Sequence, residues 1–99
     1  MKIRVELDPQ VAAFVRALAP EPRKRLRAAL RGLEQEKGDL KQLEADLAGY
    51  VRLRTGSYRV VVRFYHHGGQ RVARCVFAEK RPVVYELFAE ILRSEPGKE

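Results

Sequence analysis

The chain contains no tryptophan, no asparagine, one methionine and a single cysteine, Cys75. A lone cysteine excludes an intrachain disulfide and any multi-cysteine metal site. Within its alternating run it reads as a small buried side chain and not as a reactive thiol. Long apolar runs are missing as well, and no stretch approaches the roughly 18 to 20 residues that a membrane span requires. The opening residues, Met1-Lys2-Ile3-Arg4-Val5-Glu6-Leu7-Asp8, lack the apolar core of a signal peptide and read as a first strand. Together these features predict a cytoplasmic chain with no membrane partner. There is no internal repeat, low-complexity tract or interdomain linker.

What is present is enough for one core. At 99 residues, 45% hydrophobic and 33% charged, the chain is globular and too short for two domains. Residues 1–93 are expected to form that domain, with 94–99 as a polar tail. Ile3, Val5 and Leu7 alternate as one face of a strand. Asp8-Pro9 then supplies a helix N-cap and a proline at the first helical position. Val11, Phe14, Val15 and Leu18 follow at helical spacing, and Pro20-Glu21-Pro22 breaks that helix and opens a second. Leu26, Ala29, Leu30 and Leu33 form the second stripe, with Arg23, Lys24, Arg25, Arg27 and Arg31 around it. Gly38-Asp39 is expected to end this hairpin, and the acidic segment 39–48 to be a connecting turn of helix and loop. Three strands are predicted at about 49–54, 58–65 and 71–78, joined through Gly56 and Gly68-Gly69. Pro82 opens a last helix carrying Val84, Leu87, Phe88, Ile91 and Leu92. The prediction is an α+β fold of order β-α-α-β-β-β-α, a mostly antiparallel four-stranded sheet packed against an N-terminal helical hairpin. Its other face is left partly open.

Charge is placed unevenly. Between Tyr50 and Arg81 lie eight basic residues and one acid, Glu79, while the remaining twelve cations and twelve acids cancel. The formal surplus of +7 therefore belongs to the predicted meander. Alternation turns Tyr50, Arg52, Arg54, Arg59, Arg63 and Tyr65 to the open face. Like charges opposed across a sheet destabilise it, so such a cluster suits an anionic visitor. Interleaved tyrosines give nucleobases a stacking surface, which makes nucleic acid the first partner to consider. Without a visitor the same residues make a solvated arginine face. His66 and His67 fall at a predicted hairpin tip.

The run Leu47-Ala48-Gly49-Tyr50-Val51-Arg52-Leu53-Arg54-Thr55-Gly56-Ser57-Tyr58-Arg59 resembles the central strand pair of the RelE/ParE toxin superfamily, where L-x-G-x-x-R-L-R-x-G-x-Y-R recurs. Glu79-Lys80-Arg81-Pro82-Val83-Val84-Tyr85 is similar to the closing H-R-x-x-V-Y element, with Lys80 in the histidine's place. The element order agrees over nearly the whole chain. The resemblance implies a toxin of a type II toxin–antitoxin system. In its RelE-like branch such proteins cleave messenger RNA in the ribosomal A site, without a metal or other cofactor; in its ParE-like branch they poison DNA gyrase. An attenuated relative that only binds is a third possibility.

Carried over by position, the resemblance makes Arg59 the ligand of the scissile phosphate. Arg81 becomes the residue that stabilises charge and protonates the leaving oxygen, and Tyr85 the one that stacks or orients the base. Arg52 occupies a position that is often lysine among the ribonucleases, and Tyr50 one where a second lysine occurs. Since a guanidinium stays protonated, Arg52 is a poor general base, and no histidine or carboxylate falls in an obvious catalytic slot. Tyr50, Arg54 and Arg63 are expected to bind RNA. Arg23 and Arg27 are expected either to be solvated or to contact ribosomal RNA. The implied partners are ribosome, messenger RNA and a cognate antitoxin whose acidic segment folds on binding.

Overall fold

The computed structural model describes residues 2–80 and 83–94, apart from the side chains of residues 83–87 and 94. The chain runs β1 (Arg4–Leu7), α1 (Pro9–Arg16), α2 (Pro20–Gly32), β2 (Asp39–Gln42), β3 (Val51–Thr55), β4 (Tyr58–His67), β5 (Gln70–Lys80) and α3 (Val83–Ser94). The strands form one sheet in the order β1-β5-β4-β3-β2. Only the β1–β5 pair is parallel among them. The α+β class is as expected, but the sheet has five strands and not four. The additional strand, β2, lies in the segment expected to be helix and loop. It holds a single apolar residue, Leu40, too few to display alternation, and it forms because its backbone pairs with β3.

The helical starts follow from proline, which sits in the first turn of both α1 and α2. Asp8 occupies the N-cap position of α1 with extended backbone, yet its carboxylate makes no capping bond. It bonds Arg74 instead. A 3-10 turn, Leu33–Gln35, continues the second helix, and Glu36, not Gly38, stops it. Its left-handed backbone (φ 54°) lets Lys37 N–H reach Gly32 O at 3.0 Å and Glu36 N–H reach Leu33 O at 3.0 Å, the paired bonds of a Schellman ending. Gly38 then turns into β2 at φ 123°, where a Cβ would come within 2.9 Å of Leu53 Cδ1. The β3–β4 and β4–β5 turns are shorter than expected, with two residues each, 56–57 and 68–69.

Side chains fill both sides of the sheet. On one face α1, α2 and the 3-10 turn after it contribute Val11, Val15, Leu26, Leu30 and Leu33, which bury Leu53, Val60, Val62, Ala73, Cys75 and Ala78. The face expected to be partly open carries α3, whose Phe88 closes over Val61, Phe77 and Leu47. Phe88 stacks on Phe77 at 5.9 Å and meets Tyr50 edge-on at 5.0 Å. Gln10 ties α1 to the sheet: its amide donates to Ala78 O and accepts from Ala78 N–H, both at 2.8 Å. The amide thus continues the edge of β5 beyond the end of β1.

One irregularity reorganises β5. Val61 faces Phe77 while Val62 faces Cys75, so Val76 is an extra residue on β5. Strict alternation from Arg74 would send Phe77 and Glu79 to the helical-hairpin side. The bulge places them on the α3 side with Arg74.

Candidate nucleic-acid interface

The register fixes which charged residues meet. Asp39 faces Arg54, Arg54 faces Arg59, and Arg59 faces Glu79, so one row across four strands reads acid, arginine, arginine, acid. Neighbouring strands are about 5 Å apart. In the next row Lys41 and Arg52 lead into Val61 and Phe77, the apolar patch under α3.

The arginines of this cluster are held differently. Arg52 bonds Asp39 Oδ1 through Nη2 at 2.7 Å, with only 15% of its side chain exposed. Its Nε is enclosed and has no acceptor among the described residues. Arg54 lies 3.8 Å from the other oxygen of Asp39 and is half exposed. Arg59 instead donates through Nη1 to two backbone carbonyls, Gly56 O at 3.1 Å and Tyr58 O at 3.2 Å. A guanidinium has five N–H donors, so Nε and Nη2 of Arg59 remain for an anion. Among the described residues its orientation is set by these hairpin carbonyls and not by a carboxylate.

Beyond the apolar patch, on the far side of α3, a groove of about 780 Å³ opens between the helix, β4, β5 and the start of α1. Tyr50, Tyr65, Arg63 and Arg74 face it, with Phe88, Ile91 and Leu92 along the helix wall. Arg74 donates from Nε to Asp8 Oδ1 at 2.7 Å. That bond and the charge of Asp8 raise the guanidinium's pKa above its ordinary value. Tyr65 hydroxyl lies 3.4 Å from Glu6 Oε1. Arg63 is exposed and has no carboxylate within ion-pair distance among the described residues.

The residues singled out from the sequence therefore separate into groups. Arg52, Arg54 and Arg59 lie on one side of α3, and Tyr50 and Arg63 on the other, roughly 13 Å away along β4. Arg23 and Arg27 belong to α2, on the opposite face of the sheet. Arg81 lies outside the described residues. Tyr85 falls within α3, and its side chain is likewise outside them. Two residues that sequence reasoning left out join the cluster, Asp39 through the unexpected β2 and Glu79 through the bulge. Glu79 had one visible signal, as the sole acid in the basic segment.

Folding also redistributes charge. Asp8, Glu36 and Asp39, all outside the basic segment, pair with Arg74, Arg71, Arg52 and Arg54 inside it. Lys24, Arg25, Arg27 and Arg31 on α2 have no carboxylate partner among the described residues. Buried Cys75 carries a thiol pushed up to about 12 by burial, with Asp8 adding to the shift. Among the described residues, no three His, Cys, Asp or Glu side chains are grouped to hold a metal ion, and no helix is long and apolar enough to cross a membrane.

Neither a family model nor a curated protein matches the chain in sequence. Solved structures match it in fold. A chain of the toxin–antitoxin complex RelBE2 from Mycobacterium tuberculosis superposes with a TM-score of 0.67 at 19% identity, over 82% of this chain and 93% of that one. The YoeB/ParE toxin from Agrobacterium tumefaciens gives 0.64 at 16% identity, over 80% and 99%. A chain of the archaeal RelE–RelB complex from Pyrococcus horikoshii OT3 gives 0.57 at 26% identity, over 83% and 98%.

Proposed function

We propose that this chain, whose fold is that of the RelE/ParE toxin superfamily, is the toxin of a type II toxin–antitoxin pair and a ribosome-dependent endonuclease of messenger RNA. The observation that carries this reading is the state of Arg59. It is a guanidinium held through Nη1 by the Gly56 and Tyr58 carbonyls, and it has no carboxylate within ion-pair distance among the described residues. In cleavage by the substrate's own 2′-hydroxyl the nucleophile comes from the RNA, and the protein's task is to orient attack and stabilise charge. A fork of fixed N–H donors suits the phosphate oxygens of the transition state. Removing one preorganised donor typically costs about 3 to 4 kcal/mol of transition-state stabilisation.

The other residues take supporting roles. Arg81 protonates the leaving oxygen and Tyr85 stacks on a base, as the resemblance implies. Arg52, locked on Asp39, holds the cluster's shape. Arg54 borders the reacting phosphate, while Tyr50 and Arg63 receive a flanking base and phosphate in the groove. Arg23 and Arg27 meet ribosomal RNA from the opposite face. No cofactor enters the reaction. The groove is apolar along α3 and cationic along the sheet, which suits the acidic, amphipathic segment of a cognate antitoxin.

The test is cleavage of a translated message by the purified chain, with and without ribosomes, beside Arg59→Ala. Ribosome-dependent cuts with 2′,3′-cyclic phosphate ends, lost in the variant and insensitive to chelators, support the reading. Metal-dependent cutting, or full activity of Arg59→Ala, sinks it. A second reading, a ParE-like gyrase poison without ribonuclease activity, is favoured by one observation: Asp39 already engages Arg52 and lies beside Arg54. Growth arrest with intact transcripts and an induced DNA-damage response would select it.

A further inference from the structure

We infer that Glu79 is the proton acceptor of this cleavage, an assignment that rests on the ribonuclease reading. A reaction through the 2′-hydroxyl needs a base, and the arginines that fill the cluster stay protonated and cannot serve. Two carboxylates reach the row. Asp39 is engaged by Arg52 at 2.7 Å and by Arg54 at 3.8 Å. Glu79 makes no ion pair within that range among the described residues; its one hydrogen bond comes from the adjacent Lys80 N–H at 3.1 Å. It is half-buried and directly opposite Arg59. Side chains so placed have Cβ atoms about 5 Å apart, so a phosphate on the free donors of Arg59 brings its ribose within reach of the Glu79 carboxylate. His66 and His67 lie at the other end of β4, some 23 Å from Arg59 along the strand, and cannot take part.

In this step the 2′-hydroxyl gives its proton to the Glu79 carboxylate as its oxygen bonds to the adjacent phosphorus. The bond from phosphorus to the 5′-oxygen breaks, leaving a 2′,3′-cyclic phosphate. The 5′-oxygen leaves with the electron pair and takes a proton, ultimately from water, to which Glu79 returns its own. Among the described residues, the charged and titratable surroundings of Glu79 are Arg59 and Tyr58 on β4, Arg54 beyond them on β3, and Lys80 on its own strand. α1 brings only the neutral Gln10, to Ala78. On α3 the described charged side chains are Glu90 and Arg93, the latter 3.7 Å from Asp46 near β3.

The test is single-turnover cleavage of a ribosome-programmed message across pH by the parent chain, Glu79→Gln and Glu79→Asp. The scissile linkage is either natural or carries a 5′-sulfur leaving group, which departs without a proton donor. Glu79→Gln should cut both linkages about 100-fold more slowly and lose the fall in rate at low pH that a carboxylate base imposes. Ribosome affinity and the unfolding transition should match the parent's, and Glu79→Asp should recover part of the rate. If Glu79→Gln stays within about threefold of the parent, or is rescued by the sulfur linkage, Glu79 is not the base and the ribonuclease reading survives. If the parent cuts neither linkage at any pH, both fail together.

Discussion

Arg59 and Arg52 carry the same charge on adjacent strands, yet one is aimed by backbone carbonyls and the other is clamped by a carboxylate. Lysine at position 59 would keep the charge and lose the fork. Arg59→Lys is therefore expected to lower single-turnover cleavage about 100-fold while leaving the unfolding midpoint nearly unchanged. Cys75 offers a second residue-scale check. Its folded thiol is raised from 9.0 to about 12, first by burial and then by Asp8. A raised folded pKa stabilises the protein fully below the unfolded thiol's value, and that contribution is lost as pH climbs from about 9 towards 12. Denaturant midpoints should thus fall more steeply over that window for the parent than for Cys75→Ala. A thiol reagent at pH 8 should react only at the rate of unfolding. Equal slopes, or rapid labelling of the native chain, would count against the burial argument.

Elements announced by repeated periodicity were legible, and those that depend on a neighbour were not. The stripes of α1 and α2, the alternation of β4 and the glycines of the two hairpins could be read from adjacent residues. β2 could not, since four residues with one leucine become a strand only once β3 lies alongside. The bulge at Val76 was equally silent, and through it the outward position of Glu79 was missed. The cap expected of Asp8 was lost for a related reason, because the competing Arg74 is 66 residues away. Two variants examine these junctions by chemical denaturation. Gly38→Ala forces a side chain into left-handed backbone 2.9 Å from Leu53 and should cost about 1 to 3 kcal/mol. Gln10→Ala strips the partners from both the N–H and the C=O of Ala78 and should cost a similar amount, about 1 to 3 kcal/mol. A neutral result for either would mean the backbone relaxes at that junction.

At the scale of the molecule, linear charge counting and folded charge disagree. The basic segment holds the formal surplus, but distant acids cover part of it, and among the described residues α2 carries further cations that no carboxylate pairs with. Replacing Lys24, Arg27 and Arg31 with glutamine should weaken ribosome binding. It should also reduce the dependence of log affinity on log salt by about 0.7 to 0.9 for each phosphate that is no longer neutralised. An unchanged slope would confine recognition to the α3 face. The parallel pairing of β1 with β5 has a consequence in time. Arg4 finds its register against Val72, a residue synthesised 68 positions later. At about 5 to 20 residues per second, β1 must wait roughly 3 to 14 seconds for the strand beside which it belongs. During that interval the charged row lacks Glu79 and the apolar patch lacks Phe77, so a growing chain does not yet hold the cluster that the finished sheet assembles.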